Sequence, residues 1–382
     1  MIKPNILLID ESPIYGGHET MFMAFIKAIL PQLLKVANVD FVVNSRNKRL
    51  ISQLKQSEFG SINVHKVTLS TLPIKPITQF LINNDKAKIR SIINNKKPKY
   101  VLNIQGTIEI GCTSLWVCKS LNIPVITYLP ITKSSANLGV TLGRLRDIVC
   151  RKLYYSIPKK IITISRTNQD ELQNLFFIPP ERVTVIHNFV DIDDRNRIKN
   201  LPEFSSQKKH LALIGRISNV QKRQFDFLKK WLASKISHNY VIHVVGDSDD
   251  CESQDLKKLC SQAILNDNII FHGWKSADYV SAVITQCDAL LLPSRFEGVP
   301  LVMIEAISSG CKVIGSRVDG MKEFLPIEWT FDTDDWESMF NIIEKSEKEL
   351  NSKLLEKVQE SFKVFNKNTN TDKFLSTLME EL

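Results

Sequence analysis

No run of eighteen uncharged apolar residues occurs in this 382-residue sequence, so nothing in it reads as a helix that spans a membrane. The stretch Met1 to Leu30 lacks the pattern of a signal peptide: its short apolar run stops at Asp10 and Glu11 with no cleavage-type ending. Seven cysteines (Cys112, Cys118, Cys150, Cys251, Cys260, Cys287 and Cys311) form no Cys-x-x-Cys and no Cys/His set with metal-ligand spacing. An odd number of thiols in a chain of this length reads as reduced cysteine in a cytoplasm. Neither half carries a G-x-G-x-x-G after its first strand, which disfavours a nicotinamide enzyme. The basic residues lack interleaved stacking aromatics, so nucleic acid is not an expected partner. There is no internal repeat and no low-complexity tract.

What remains is a globular composition, 43% hydrophobic and 24% charged, long enough for two or three domains. The net charge of +9 is unevenly placed. Residues 1–200 hold 28 Lys and Arg against 14 Asp and Glu, and the rest hold 22 against 27. One half is therefore suited to an anionic partner, such as a membrane surface on the inner face or a lipid-diphosphate acceptor; a generic solvated basic face is the simpler alternative. The basic amphipathic helix expected over Leu138–Tyr155, with Tyr154 and Tyr155, could rest on such a membrane or pack on the core.

Short apolar runs alternate with helical patterns along the whole chain. Strands are expected at Asn5–Ile9, Phe41–Asn44, Ile62–Val67, Tyr100–Ile104, Pro124–Tyr128 and Lys160–Ser165. Helices are expected between them, among them Thr20–Leu30, Pro76–Ile93 and Thr107–Leu121. A polar run, Asp193–Lys209, reads as a linker, and the alternation resumes at His210–Ile214. This is the pattern of doubly wound α/β domains.

The stretch most loaded with chemistry is Cys287–Ser316. Ala289–Pro293 reads as a strand, Ser294–Val299 as a loop, Leu301–Ser309 as a short helix opened by Pro300, and Lys312–Gly315 as a second strand. Glu297 and Glu305 flank the start of that helix. Its unpaired N–H groups and positive dipole end suit a phosphate. Gly298 lets backbone approach a ligand, and acceptor-only carboxylates suit sugar hydroxyls. Upstream, Arg216 and Lys222 lie in the loop after another strand, where paired cations can offset charge developing on a diphosphate leaving group. Gly16 and Gly17 follow the first strand, a usual place for backbone to meet a phosphate and equally a turn.

The spacing Glu297-Gly298, Glu305-Ala306, Gly310, then Gly320 to Glu323 resembles the E-x7-E signature of retaining glycosyltransferase family four, also described as glycosyl transferases group 1. The G-G-x-E of Gly16–Glu19 and the F-x-G-W of Phe271–Trp274 resemble other segments of that family. The resemblance implies an α/β GT-B fold, two Rossmann-like doubly wound domains facing across a cleft. Residues 1–200 would bind the acceptor, residues 207–365 the nucleotide sugar, and a helix at about 366–382 would pack back on the first domain. It implies transfer of a hexose-type sugar from a nucleotide diphosphate sugar, UDP ahead of GDP, to a saccharide or lipid-linked saccharide. A role in bacterial surface polysaccharide or lipopolysaccharide synthesis is expected.

The resemblance also assigns residues. Arg216 and Lys222 would neutralise the diphosphate, Glu297 would hold the sugar, and Glu305 the ribose. Gly16, Gly17, Gly298, Val299, Pro300 and Leu301 would border the donor. No cofactor and no metal are expected. Asp247 and Asp249 form an Asp-x-Asp, the metal motif of the other large glycosyltransferase fold, but stand in the second domain at a family turn. Two departures are visible. Phe189 replaces a usual glycine, and Ile126–Ser135 has no histidine where many members carry one; Thr132 or Lys133 stands there, and His18 is a possible substitute. The rival function is a nucleotide-sugar-binding subunit without activity that partners an active transferase.

Overall fold

The computed structural model describes residues 3–190, 204, 207–247, 251–345 and 348–382, and for 348–352 the backbone alone. Most of the expected linker, and Asp249, lie outside the described residues. The chain divides into two compact units, Met1–Asn188 with Lys367–Leu382, and Phe189–Asn366.

The first unit is built on seven strands: β1 (Asn5–Asp10), β2 (Asn38–Asn44), β3 (Asn63–Val67), β4 (Tyr100–Ile104), β5 (Val125–Tyr128), β6 (Lys160–Thr163) and β7 (Val183–Val185). All pairings are parallel, in the order β3-β2-β1-β4-β5-β6-β7. Strands covered by helices on both faces need apolar side chains on both, and Ile6, Leu7, Leu8 and Ile9 of β1 are all fully buried. The second unit has six: β8 (Lys209–Ile214), β9 (Tyr240–Val245), β10 (Ile269–Gly273), β11 (Ala289–Leu292), β12 (Lys312–Ser316) and β13 (Thr330–Phe331). They too are parallel, ordered β10-β9-β8-β11-β12-β13. Two parallel sheets of this kind are the doubly wound pair expected of a GT-B fold.

The helix Lys367–Met379 belongs to the first unit. Its Phe374 and Leu378 are fully buried, and Phe374 stacks on Phe25 at 4.6 Å between ring centroids. Lys159 and Glu381 add a 2.8 Å ion pair, which at an exposed position contributes little.

Several boundaries differ from expectation, each for a local reason. The first helix runs Gly17–Val36, straight through Pro31. Pro31 is exposed, so the carbonyl its missing N–H leaves unpaired can be solvated, while Ile29, Leu30 and Leu33 stay buried and hold the helix together. The helix expected from Thr107 starts at Cys112. Residues 107–111 instead wrap the buried Gln105, whose Nε2 donates to the Ile108 carbonyl at 3.2 Å; a Cβ on Gly111 would lie 1.9 Å from it.

The basic helix covers Gly143–Val149 and continues as a wider turn over Cys150–Tyr154, because Gly139 and Leu142 take left-handed backbone conformations that interrupt it upstream. Tyr154 and Tyr155, candidates for membrane contact in the sequence, are buried. The Tyr154 hydroxyl donates to the Pro76 carbonyl at 2.7 Å, and Tyr155 packs on Phe176. Among the described residues, no helix is long and apolar enough to cross a membrane.

Candidate functional site

In the second sheet, β8 is flanked by β9 on one side and β11 on the other, so the winding direction reverses between β8 and β11. Loops leaving these two strands diverge to opposite faces and open a crevice at their carboxyl ends. The loop after β8 carries Arg216 and Lys222; the loop and helix after β11 carry Glu297 to Glu305. Chain topology alone therefore gathers the two segments singled out in the sequence.

Close backbone packing shapes the first loop. Gly215 and Gly246 both have positive φ, 140° and 143°, and a Cβ on Gly246 would sit 1.9 Å from the Gly215 carbonyl oxygen. Only glycine fits there. Beyond it, Gln224 clips the loop: its Nε2 donates to the Arg216 carbonyl at 2.9 Å, and its Oε1 accepts from the Ser218 amide at 3.1 Å. The Arg216 side chain is exposed. Lys222 turns inward and forms an ion pair with Glu297. Arg223, the third cation, is held away from this pair: it bonds Asp226 and Asp334 and lies over the Trp336 ring at 4.7 Å.

Glu297 is the best-held carboxylate of the site. It is 7% exposed. Its Oε1 takes Lys222 and, at 2.8 Å, the Ser294 hydroxyl. Its own amide donates to Asp319 Oδ2 at 2.9 Å. The Arg295 amide donates to the Gln221 carbonyl at 2.8 Å, which ties the two loops directly. Gly320 seals the other side, since its amide donates to the Gly298 carbonyl at 3.0 Å and a Cβ there would approach that oxygen to 2.1 Å.

The helix Leu301–Ser308 starts from Pro300, and no side chain caps it. Its first turn and dipole thus remain directed at the loop that holds Gly298 and Val299, the geometry that favours an anion. Glu305 lies on this helix, half-buried, four residues beyond Leu301 and so about 6 Å along the axis.

Family models cover both units. That for Glycosyltransferase Family 4 matches residues 16–194, and that for Glycosyl transferases group 1 matches residues 194–360. The chain belongs to the group 1 glycosyltransferases. Over 310 residues, 78% of each chain, it is 26% identical to the O-antigen chain mannosyltransferase RfbU of Salmonella typhimurium. It is 31% identical over 137 residues to the lipopolysaccharide 1,6-galactosyltransferase of Escherichia coli K12, covering 35% of this chain and 36% of that one. Several such matches span less than half of the relative; an uncharacterized glycosyltransferase of Methanocaldococcus jannaschii, 22% identical over 44% of this chain, is matched over 45% of its length. Among solved structures, the Anabaena protein HepE in complex with UDP and glucose superposes with a TM-score of 0.75 at 16% identity, covering 99% of this chain and 100% of that one. The lipopolysaccharide outer core galactosyltransferase WaaB, in its apo form, gives 0.68 at 16% identity, over 99% of both. These likenesses at low identity establish the GT-B fold.

The first unit of this glycosyltransferase has its own reversal point, between β1 and β4. Gly16 caps the helix Gly17–Val36, and its amide donates to Glu19 Oε2 at 2.7 Å. A Cβ on Gly17 would meet nothing within 4 Å, so this position is open. Neither glycine has positive φ; what the pair offers is an uncrowded helix start. His18 Nδ1 lies 3.0 Å from Glu19 Oε2. Burial would lower the His18 pKa, but the hydrogen bond and charge of Glu19 outweigh it and raise it. Burial, followed by the charge of Glu19, pushes the Asp10 carboxyl up to about 7.

Asp10, His18 and Glu19 bring three potential metal-ligating atoms within 4.8 Å of one another. The Glu19 oxygen that meets His18 is already engaged by the Gly16 amide, so this group reads as a buried acid–imidazole network. At the other candidate metal motif, the Asp247 carbonyl accepts from the Ile217 amide at 2.9 Å and so braces the Arg216 loop.

Four functional neighbours escape sequence reasoning: Ser294, Asp319, Gln224 and Arg223. A polar residue that acts through a partner distant in the chain has no local signature.

Proposed function

We propose that this chain transfers a sugar from a nucleotide diphosphate sugar to a hydroxyl of a saccharide or lipid-linked saccharide, with retention of configuration. The observation that carries the reading is the Lys222–Glu297 pair at the β8/β11 reversal, beside an uncapped helix start. Cation, helix dipole and buried carboxylate together match a diphosphate joined to a hydroxyl-rich ring.

In this reading the diphosphate lies at Gly298–Leu301 and is neutralised by Arg216 and Lys222, Glu297 holds the sugar hydroxyls, and Glu305 the ribose. The anomeric carbon–phosphate oxygen bond breaks as the acceptor oxygen bonds that carbon. The acceptor proton passes to a phosphate oxygen of the leaving group, so no protein nucleophile is required. Arg216 and Lys222 lower the barrier by stabilising charge that grows on the diphosphate. We assign the donor to residues 207–365 and the acceptor to residues 1–200. UDP is favoured over GDP because the solved HepE complexes contain UDP and UDP-glucose. Lipopolysaccharide and O-antigen relatives favour a surface polysaccharide acceptor.

A thermal-shift panel of UDP, GDP, ADP and their sugars, with EDTA and with Mg²⁺, tests this. Ligand that binds the native state raises its melting temperature by mass action. One nucleotide diphosphate should stabilise the protein, indifferently to EDTA, and lose that effect in Glu305→Ala. A shift dependent on Mg²⁺ would contradict the metal-free site. No shift with any nucleotide would overturn the transferase reading, and binding without turnover on any acceptor would replace it with a non-catalytic subunit.

A further inference from the structure

Arg223 follows Lys222 directly, in a backbone conformation that side chains disfavour. Its φ is 58°, left-handed, and it forms the N-cap of the helix Gln224–Leu232. A Cβ in that region crowds the neighbouring backbone, and glycine is the residue that adopts it freely. A right-handed residue at this position would extend the helix and set Lys222 in line with it; the left-handed one bends the chain off the helix axis. The amides of Lys222 and Arg223 both donate to the Ser218 carbonyl, at 2.7 and 3.1 Å, and the Lys222 side chain meets Glu297. The direction of Lys222 is thus set at residue 223.

Backbone preference alone would select glycine there, so what arginine adds lies in its side chain. Arg223 is 3% exposed. Its Nε donates to Asp226 Oδ2 at 3.2 Å, a terminal nitrogen pairs with Asp334, and the guanidinium lies over the Trp336 ring at 4.7 Å. A planar fork shared between two carboxylates and an aromatic face uses the features that separate arginine from lysine. Both ends of this strap are fixed. Asp226 exchanges hydrogen bonds with Asn219: its Oδ1 accepts from Asn219 Nδ2 and its amide donates to Asn219 Oδ1, both at 3.1 Å. Asp334 lies between β13 and the helix Trp336–Glu344, and its own φ is 80°. One ion pair therefore joins two left-handed residues that are not glycine.

We propose that Arg223 is a positioning residue for sugar transfer: strapped to Asp226, Asp334 and Trp336, it holds the left-handed turn that aims Lys222 at the leaving diphosphate. This rests on the assignment of Lys222 to that diphosphate. Arg223 touches no reacting atom. It acts through the orientation of its neighbour, and an oriented cation stabilises developing charge without reorganising as the bond breaks.

The test replaces each end of the strap by the residue its backbone favours. Arg223→Gly keeps the left-handed turn and removes the side chain. Asp226 and Asp334, 35% and 72% exposed at their side chains, are left solvated rather than buried and unpaired, so the variant should fold and melt close to the wild type. Its kcat should fall between about 10- and 100-fold, the effect that a displacement of order 1 Å has on an aligned site. KM should rise no more than about 3-fold, because the charge that Lys222 meets grows chiefly in the transition state. UDP already carries that charge, so isothermal titration should show weaker UDP binding. Asp334→Gly removes only the outer tether and should move kcat and UDP affinity the same way by a smaller factor. In a Lys222→Met background, Arg223→Gly should change UDP affinity by less than about 2-fold, since nothing is left to aim. The proposal is overturned if Arg223→Gly keeps the wild-type kcat and UDP affinity. It is equally overturned if its loss adds in full to that of Lys222→Met, which would mark a general loosening of the unit. Should Arg223→Gly not fold, Asp334→Gly, altered at an exposed residue, carries the same cycle with Lys222→Met. If Lys222→Met is impaired and the strap variants are not, this proposal fails and the diphosphate assignment stands; if Lys222→Met itself changes neither transfer nor UDP binding, both fall.

Discussion

The cation assigned to the diphosphate is bound to the carboxylate assigned to the sugar, and this makes a testable conflict. Lys222 is 19% exposed at its side chain and Glu297 7%. Removing one partner of a buried pair costs about 3–5 kcal/mol, because a charge is left unpaired. Here Ser294 remains on Glu297, and Lys222 is partly solvated, so Lys222→Met should cost roughly 2 kcal/mol, below that range. Glu297→Gln with Lys222→Met removes both charges and should recover most of it, giving a coupling of about 1.5 kcal/mol in a double-mutant cycle.

The same pair predicts an unusual binding phenotype. Glu297→Gln releases Lys222, so bare UDP should bind more tightly, by up to about 10-fold if the freed ion pair returns about 1.4 kcal/mol. Transfer from the UDP-sugar should nevertheless collapse, because the sugar has lost its carboxylate. Denaturant unfolding gives the cycle, and isothermal titration of UDP with a transfer assay gives the rest. Additivity of the two substitutions, or UDP binding in Glu297→Gln that is unchanged or weaker, would refute the competition.

Other outcomes follow from single contacts. Gly320→Ala places a Cβ within 2.1 Å of the Gly298 carbonyl oxygen and 2.7 Å of Val299 Cγ2, so it should displace the Glu297 loop and lower donor affinity at least about 10-fold, as titration would show; Gly17→Ala meets nothing and should leave the fold and its melting temperature unchanged. His243, hydrogen-bonded to His210 at 2.9 Å and to His272 at 3.0 Å, has its pKa lowered to about 3 by burial and then by those neighbours. The unfolded chain therefore takes up the proton first, and stability of the second unit should fall as pH drops from about 6.5 toward 3. Asp10 works in the opposite direction in the first unit. Its folded pKa is raised to about 7, so its contribution is full below about 4 and lost as pH rises through 7, a slope that Asp10→Asn should flatten in pH-dependent unfolding. Cys251 is exposed and the other six thiols are buried, so Ellman's reagent should titrate one cysteine rapidly and the rest only on unfolding.

Sequence periodicity was sufficient for most of the architecture. Strands flanked by helices on both faces must be continuously apolar, so β1, β4, β8, β11 and β12 were legible to within a residue or two. The three-residue β7 and the helices Gln224–Leu232 and Ala277–Gln286 were not. A strand that short has no period to read, and those helices lie beside motifs whose loops dominated the pattern. The places of Arg216, Lys222, Glu297 and Glu305, after a strand end or about a helix start, were also legible, because these are local facts; their selection as a set was implied by the family resemblance.

Tertiary structure alone decided which of these residues meet. Strand order, not spacing, places the loop after β8 next to the loop after β11, and so pairs Lys222 with Glu297 across 75 positions. It also separated three neighbouring cations: Arg216 stays in solvent, Lys222 joins the carboxylate, and Arg223 is taken by Asp226 and Asp334. In the basic helix it buried Tyr154 and Tyr155 and left Leu145 and Ile148 outside. Local preference sets whether a residue sits on helix, strand or loop; the direction its side chain faces depends on what the rest of the chain packs against it, and that information is not local.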